Sequence, residues 1–154
     1  MDAIARSIQR GIIMREILFR GKRTDNGEWV HGYYGCIGGM YHYIYTGKID
    51  ITKGFVDHEK YEVDFETVGQ YTGMHGKNGK IFEGDYWIDE EGDILVVEFR
   101  NCQFCFVIYG YDDELFGFSE VGELDCDPLD YYYINKIEFA GNIHDNPELL
   151  KGKE

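Results

Sequence analysis

Proline is nearly missing from this chain, with 2 in 154 residues against 20 glycines. That balance suits many twisted strands joined by glycine turns. Long apolar runs are missing too. The longest, such as Phe104–Tyr109, are far short of the roughly 18 to 20 residues that a membrane span needs, so no membrane partner is expected. Basic residues are outnumbered, 15 Lys and Arg against 29 Asp and Glu, for a net charge of −14. Such acidity argues against a broad grip on DNA or RNA phosphates. Disorder is excluded from the other side, because 44% apolar and 16% aromatic residues are far more than a disordered chain carries. What remains is a compact, acidic domain of ordinary size.

The acidity is segregated. Through Lys80 there are 11 basic and 10 acidic residues; from Ile81 onward there are 4 and 19. The charge therefore belongs to the second half. A basic leading segment (Arg6, Arg10, Arg15, Arg20, Lys22, Arg23) and an acidic trailing half can attract one another within a chain or between copies. The plainer reading is solubility.

The chain has 4 cysteines: Cys36, Cys102, Cys105 and Cys126. No secretory signal precedes them, so free thiols and a cytoplasmic location are expected. Cys102-x-x-Cys105 lacks the second pair that a zinc site needs. Its flanks, Asn101–Tyr109, read as a strand on which the two thiols point to opposite faces.

Residues 1–13 read as an extension before Met14, either a short amphipathic helix with Ile4, Ile8 and Ile12 in one stripe or the product of an upstream start. The domain proper is residues 14–154. It divides into an antiparallel, tyrosine-rich part (14–80) and a second β part (81–150) suited to a small barrel. Strands are expected near Arg15–Arg20, Glu28–Tyr34, Met40–Thr46, Tyr61–Phe65, Ile81–Asp89, Asp93–Phe99, Gln103–Tyr109 and, with a break, Tyr131–Ile143. Asp25-Asn26-Gly27 and Glu90–Asp93 supply turns, and Asn78-Gly79 is the strongest hairpin signal. A short helix is expected after Asn146 and Pro147. The class is mainly β, with α+β as the alternative.

Chemistry-bearing patterns are few. Gly73–Lys80 fails the spacing of a phosphate loop. Asp112–Glu123 places Gly and two Glu where an EF-hand loop wants them, but Phe116 offers no oxygen and neither flank looks helical. It reads as a structural loop. An incidental divalent site among Asp112, Asp113, Glu114, Asp125 and Asp127 is left open, and with Glu123 these residues form the expected acidic surface. The five histidines show no helical pair, so no catalytic residue, metal or cofactor is assigned. The most unusual pattern is aromatic. Tyr41, Tyr43 and Tyr45 alternate on one strand face, near Trp29 and Tyr33. Such ladders stack sugars or bases, but core and interface roles are the commoner use, so these five are the interface candidates.

Three blocks carry a resemblance: Met14–Arg20 (MREILFR), Val68–Asp85 (VGQYTGMHGKNGKIFEGD) and Glu138–Leu150 (EFAGNIHDNPELL). In this order they resemble the YopX-like family of phage and prophage proteins. The resemblance implies a mainly β protein with an SH3-like barrel in its C-terminal part, made by a phage or prophage and acting in the bacterial host's cytoplasm. It implies no activity, so Gly73, Asn78, Gly79, Glu83, Gly84, Asp85, Asn142 and Pro147 come over only as structural motif residues. The leading expectation is a non-enzymatic accessory protein that self-associates or binds a host or phage protein. Its rivals are an acidic mimic of nucleic acid, presented by residues 81–130, and a carboxylate- or metal-dependent enzyme.

Overall fold

A computed structural model of the chain describes residues 16–50, 57–112, 117–120 and 127–147. The expected extension at 1–13 and the helix after Pro147 lie outside these residues. Twelve strands are described, all paired antiparallel. The fold is mainly β, as the sequence requires.

The first sheet is built from β1 (Phe19–Lys22), β2 (Trp29–Ile37), β3 (Tyr41–Asp50), β4 (Asp57–Glu62), β5 (Gly69–Gly76) and β6 (Gly79–Phe82), in the order β4-β3-β2-β1-β5-β6. Its inner face follows the period-2 alternation of strands. Val30, Ile44 and Val63 are buried there against Phe19, Tyr34, Tyr61 and Val68. An isolated bridge, Arg23↔Val63, draws the chain after β4 back onto the end of β1 and curls the sheet. Gly32 permits a close crossing, since a Cβ there would stand 2.0 Å from the Tyr45 carbonyl oxygen.

The second sheet contains β7 (Asp85–Ile88), β8 (Ile94–Arg100), β9 (Gln103–Asp112), β10 (Gly117–Glu120) and β12 (Glu138–Asn142), ordered β10-β9-β8-β7-β12, with β11 (Asp127–Pro128) paired to β9. Four consecutive residues of β8, Ile94, Leu95, Val96 and Val97, are buried, so both faces of this strand are covered. Leu95 and Val97 join Trp87, Phe106, Ile134 and Ile137 in one core. Ile94 and Val96 join Tyr86 in another. At about 1.5–3 kcal/mol for each large apolar side chain buried, this strand is the best anchored in the fold.

Several expectations are corrected. Among the described residues neither sheet closes, so the SH3-like barrel implied for the C-terminal part is not formed as a closed barrel; β10 and β12 end an open path. Ile81–Asp89 is two strands in two sheets, broken at Glu83-Gly84. Tyr131–Ile134 is a helical turn, α1, rather than strand. Asp130 caps it: its carboxylate accepts the Tyr133 N–H at 3.0 Å, and Ile134 and Ile137, three apart, turn toward one core. Cys102 is not on a strand. With Asn101 it forms the two-residue turn between β8 and β9, both at positive φ (50° and 64°). Free thiols hold for the exposed Cys36 and Cys102, but the buried Cys105 is disulfide-bonded. Cys126 lies outside the described residues.

A left-handed backbone costs a non-glycine residue about 1–2 kcal/mol. Cys102→Gly, completing an Asn-Gly turn, is therefore expected to raise stability by about 1 kcal/mol. A urea unfolding midpoint that does not rise would contradict this reading of the turn.

Candidate functional site

The two sheets meet where β6 runs into β7, and two residues make the crossing. Glu83 donates its N–H to Gln70 on β5, Gly84 donates to the Val97 carbonyl on β8, and the Gly84 carbonyl accepts from Ile143. Gly84 sits at φ 83°, the left-handed region that glycine enters freely. The two carboxylates of Glu83-Gly84-Asp85 accept backbone N–H groups, Asp85 from Phe82 at 2.8 Å and Glu83 from Gln70 at 3.4 Å.

Asp85 is buried and faces Arg20 of β1, with Nη1 2.7 Å from Oδ1. The contact is ionic rather than a well-aligned hydrogen bond, since Oδ1 makes no hydrogen bond and neither does Arg20 Nε. The other guanidinium nitrogen donates to the Glu83 carbonyl at 3.1 Å. Trp29 and Phe82 hold the cation, their ring centroids 4.7 and 5.0 Å from its central carbon. Burial raises the Asp85 carboxyl, with Arg20 and the Phe82 N–H opposing it. Removing one partner of such a pair costs about 3–5 kcal/mol, because the other charge stays buried.

A second polar cluster lies beside the first. Asp145 receives Lys22 Nζ at 2.6 Å, the indole N–H of Trp29 at 2.8 Å and the Asn142 amide at 2.5 Å. Asn142 Oδ1 accepts the N–H groups of His144 and Asp145, closing the turn after β12. Burial alone would raise the Asp145 carboxyl, but the three donors together outweigh it and hold its pKa at about 2. His144 is lowered, by burial first and then by the Arg20 and Lys22 cations.

All three sequence blocks meet at this junction: Arg20 from the first, Glu83–Asp85 from the second, Asn142–Asp145 from the third. A family model, YopX protein, matches residues 18–151. The chain belongs to the YopX family. Comparison with curated proteins finds no match.

In this YopX-family chain a cleft of about 240 Å³ opens at the junction, where His144 meets Glu66, Glu83 and Glu98 over Val68, Val97, Phe99 and Ile143. Glu98 is already engaged by Arg100 at 2.9 Å and Tyr109 at 3.1 Å. Among the described residues one group of three, Asp89, Glu91 and Asp93, brings possible metal ligands together. Asp89 Oδ1 there accepts the N–H groups of Glu91 and Asp93, which makes it a turn device.

The aromatic candidates divide. Trp29 belongs to the junction. Tyr33, Tyr41, Tyr43 and Tyr45 share the outer face of β2 and β3, in register Tyr33↔Tyr45, Gly35↔Tyr43 and Ile37↔Tyr41. Arg20 pairs with His31 and Lys22 with Trp29, so this face is a continuation of the one that packs at the junction. Tyr33 is 62% exposed, Ile37 52% and Tyr41 50%. The Tyr45 ring lies across Gly35, where a Cβ would come within 2.9 Å of it. Lys60 of β4, opposite Tyr45, sets its ammonium 4.7 Å from the Tyr43 ring centre.

The remaining motif residues are structural in place. Gly73 (φ 89°) lies in β5, Asn78 in the β5–β6 turn and Gly79 (φ 117°) at the start of β6. Pro147 is exposed. Of the acidic residues, Asp112 ends β9 and Asp127 starts β11, while Asp113, Glu114, Glu123 and Asp125 lie outside the described residues. The sequence reading missed Arg20, Lys22, His144 and Asp145 as junction partners. For Arg20, His144 and Asp145 the one signal was membership of the two terminal blocks; Lys22 lies just past the first of them.

A carboxyl held below its ordinary 3.8 contributes stability above that pH and loses it as pH falls toward about 2. Asp145→Asn is therefore expected to lower stability at neutral pH and to flatten its decline between pH 4 and pH 2. Parallel declines in the two proteins, followed by thermal melts, would contradict the clustering of donors on Asp145.

Proposed function

We propose that this YopX-family chain is a non-enzymatic accessory protein of a phage or prophage that works in the host cytoplasm by binding another protein. One observation carries the reading. Tyr33, Ile37 and Tyr41 are at least half exposed on a continuous sheet face rather than scattered singly. Tyrosine is enriched at protein interfaces because its ring buries large area at low entropy cost while its hydroxyl keeps a polar partner. Lone exposed apolar residues need no explanation; contiguous ones mark contact surfaces. Tyr33→Ser/Tyr41→Ser alters only exposed side chains and is expected to retain the fold by circular dichroism. In capture from host lysate it is expected to lose, by about tenfold or more, a protein held by the wild type. Identical captured proteins from both would overturn the reading.

A second reading, a carboxylate-based enzyme, is favoured by the junction cleft. Neutral His144 beside Glu66 and Glu83 is the kind of grouping that general acid–base chemistry uses. On this reading the chain turns over one of a panel of nitrophenyl esters, phosphates and glycosides, and Glu83→Gln abolishes the turnover. Hydrolysis that is absent, or unchanged in the variant, would remove it.

A further inference from the structure

The tyrosine face carries charge as well as rings, and its arrangement identifies an occupant. On β4, Lys60 stands opposite Tyr45 and Glu62 opposite Tyr43, so the cation and the anion sit two residues apart on the tyrosine face. Both are exposed. The face is thus close to neutral in a chain of net charge −14. A strongly basic partner would be drawn to the acidic second half, and a strongly acidic one would be repelled by the chain as a whole.

A neutral aromatic face with adjacent opposite charges is complementary to itself. A two-fold axis in the plane of contact, crossing β4 at Tyr61 and β3 at its neighbour Ile44, turns the row of Lys60 and Tyr45 onto the row of Glu62 and Tyr43. We propose that two copies of this chain pack tyrosine face to tyrosine face about such an axis, with Lys60 of each copy against Glu62 of the other. The proposal rests on the protein-binding reading of the same face and names a second copy as its occupant. Pairing by this half sets together the surfaces that add no acid–acid repulsion. A pairing held by a few side chains of each copy gives a weak, concentration-dependent dimer.

Charge reversal tests the pairing. In sedimentation equilibrium from about 5 to 500 µM, the wild type is expected to rise toward twice the monomer mass. Lys60→Glu or Glu62→Lys alone sets like charges against each other and is expected to weaken association by about tenfold. The double reversal, Lys60→Glu/Glu62→Lys, restores opposite charges across the axis and is expected to return within about threefold of wild type. Circular dichroism of each variant confirms the fold. A wild type that stays monomeric overturns the proposal, and so does a double reversal no better than the singles. A monomeric wild type whose Tyr33→Ser/Tyr41→Ser variant still loses a captured protein would remove the two-fold pairing and leave the protein-binding reading standing.

Discussion

A buried ion pair crosses from one sheet to the other, beside a core that Ile81 of β6 shares with Leu95 and Val97 of β8. Arg20 reaches from β1 of the first sheet to Asp85 at the start of β7 in the second, between the rings of Trp29 and Phe82. Taking both charges out of water is costly, and their attraction offsets that cost only when the geometry is held. The crossing turn holds it. Glu83-Gly84 is hydrogen-bonded to β5, to β8 and to the chain after β12, and Glu83 supplies a carbonyl for the same guanidinium. A purely apolar contact in this place would tolerate sliding. A charge pair with fixed donors specifies one orientation.

Around that pair the structure adds a polar rim. Lys22, Trp29 and Asn142 converge on Asp145, tying the end of β1 to the turn after β12. Burial first, and then the Arg20 and Lys22 cations, lower His144 beside the junction cleft. Polar density at the junction therefore has a structural cause.

The tyrosine face is continuous with the junction. At the β1 end of one face of the first sheet, Arg20, Lys22 and Trp29 reach Asp85, Asp145 and His144. Farther along β2 and across β3 the face continues as the exposed Tyr33 and Tyr41, with Tyr43 and Tyr45 half-buried. In the second sheet Ile94–Val97 are buried in two cores, one of which Ile81 of the first sheet enters.

Periodicity and turn chemistry were legible in the sequence. The alternation in Tyr41–Tyr45 predicts the shared face, Asn78-Gly79 the hairpin and Ile94–Val97 a buried strand, because these signals are local and obey the period of a pleated chain. The helical turn at Tyr131–Ile134 was not, since three tyrosines look like strand until the Asp130 cap is seen. The single strand expected over Ile81–Asp89 has another cause: the turn at Glu83-Gly84 leads into a different sheet, and nothing local says which. Arg20, Asp85 and Asp145 are ordinary charged residues in one dimension. By itself the sequence determined a mainly β chain, its family and a tyrosine-bearing face with the acid set apart. Only the tertiary structure decided that distant blocks meet at a buried charge pair, because the cost of burying a charge selects its partner through space.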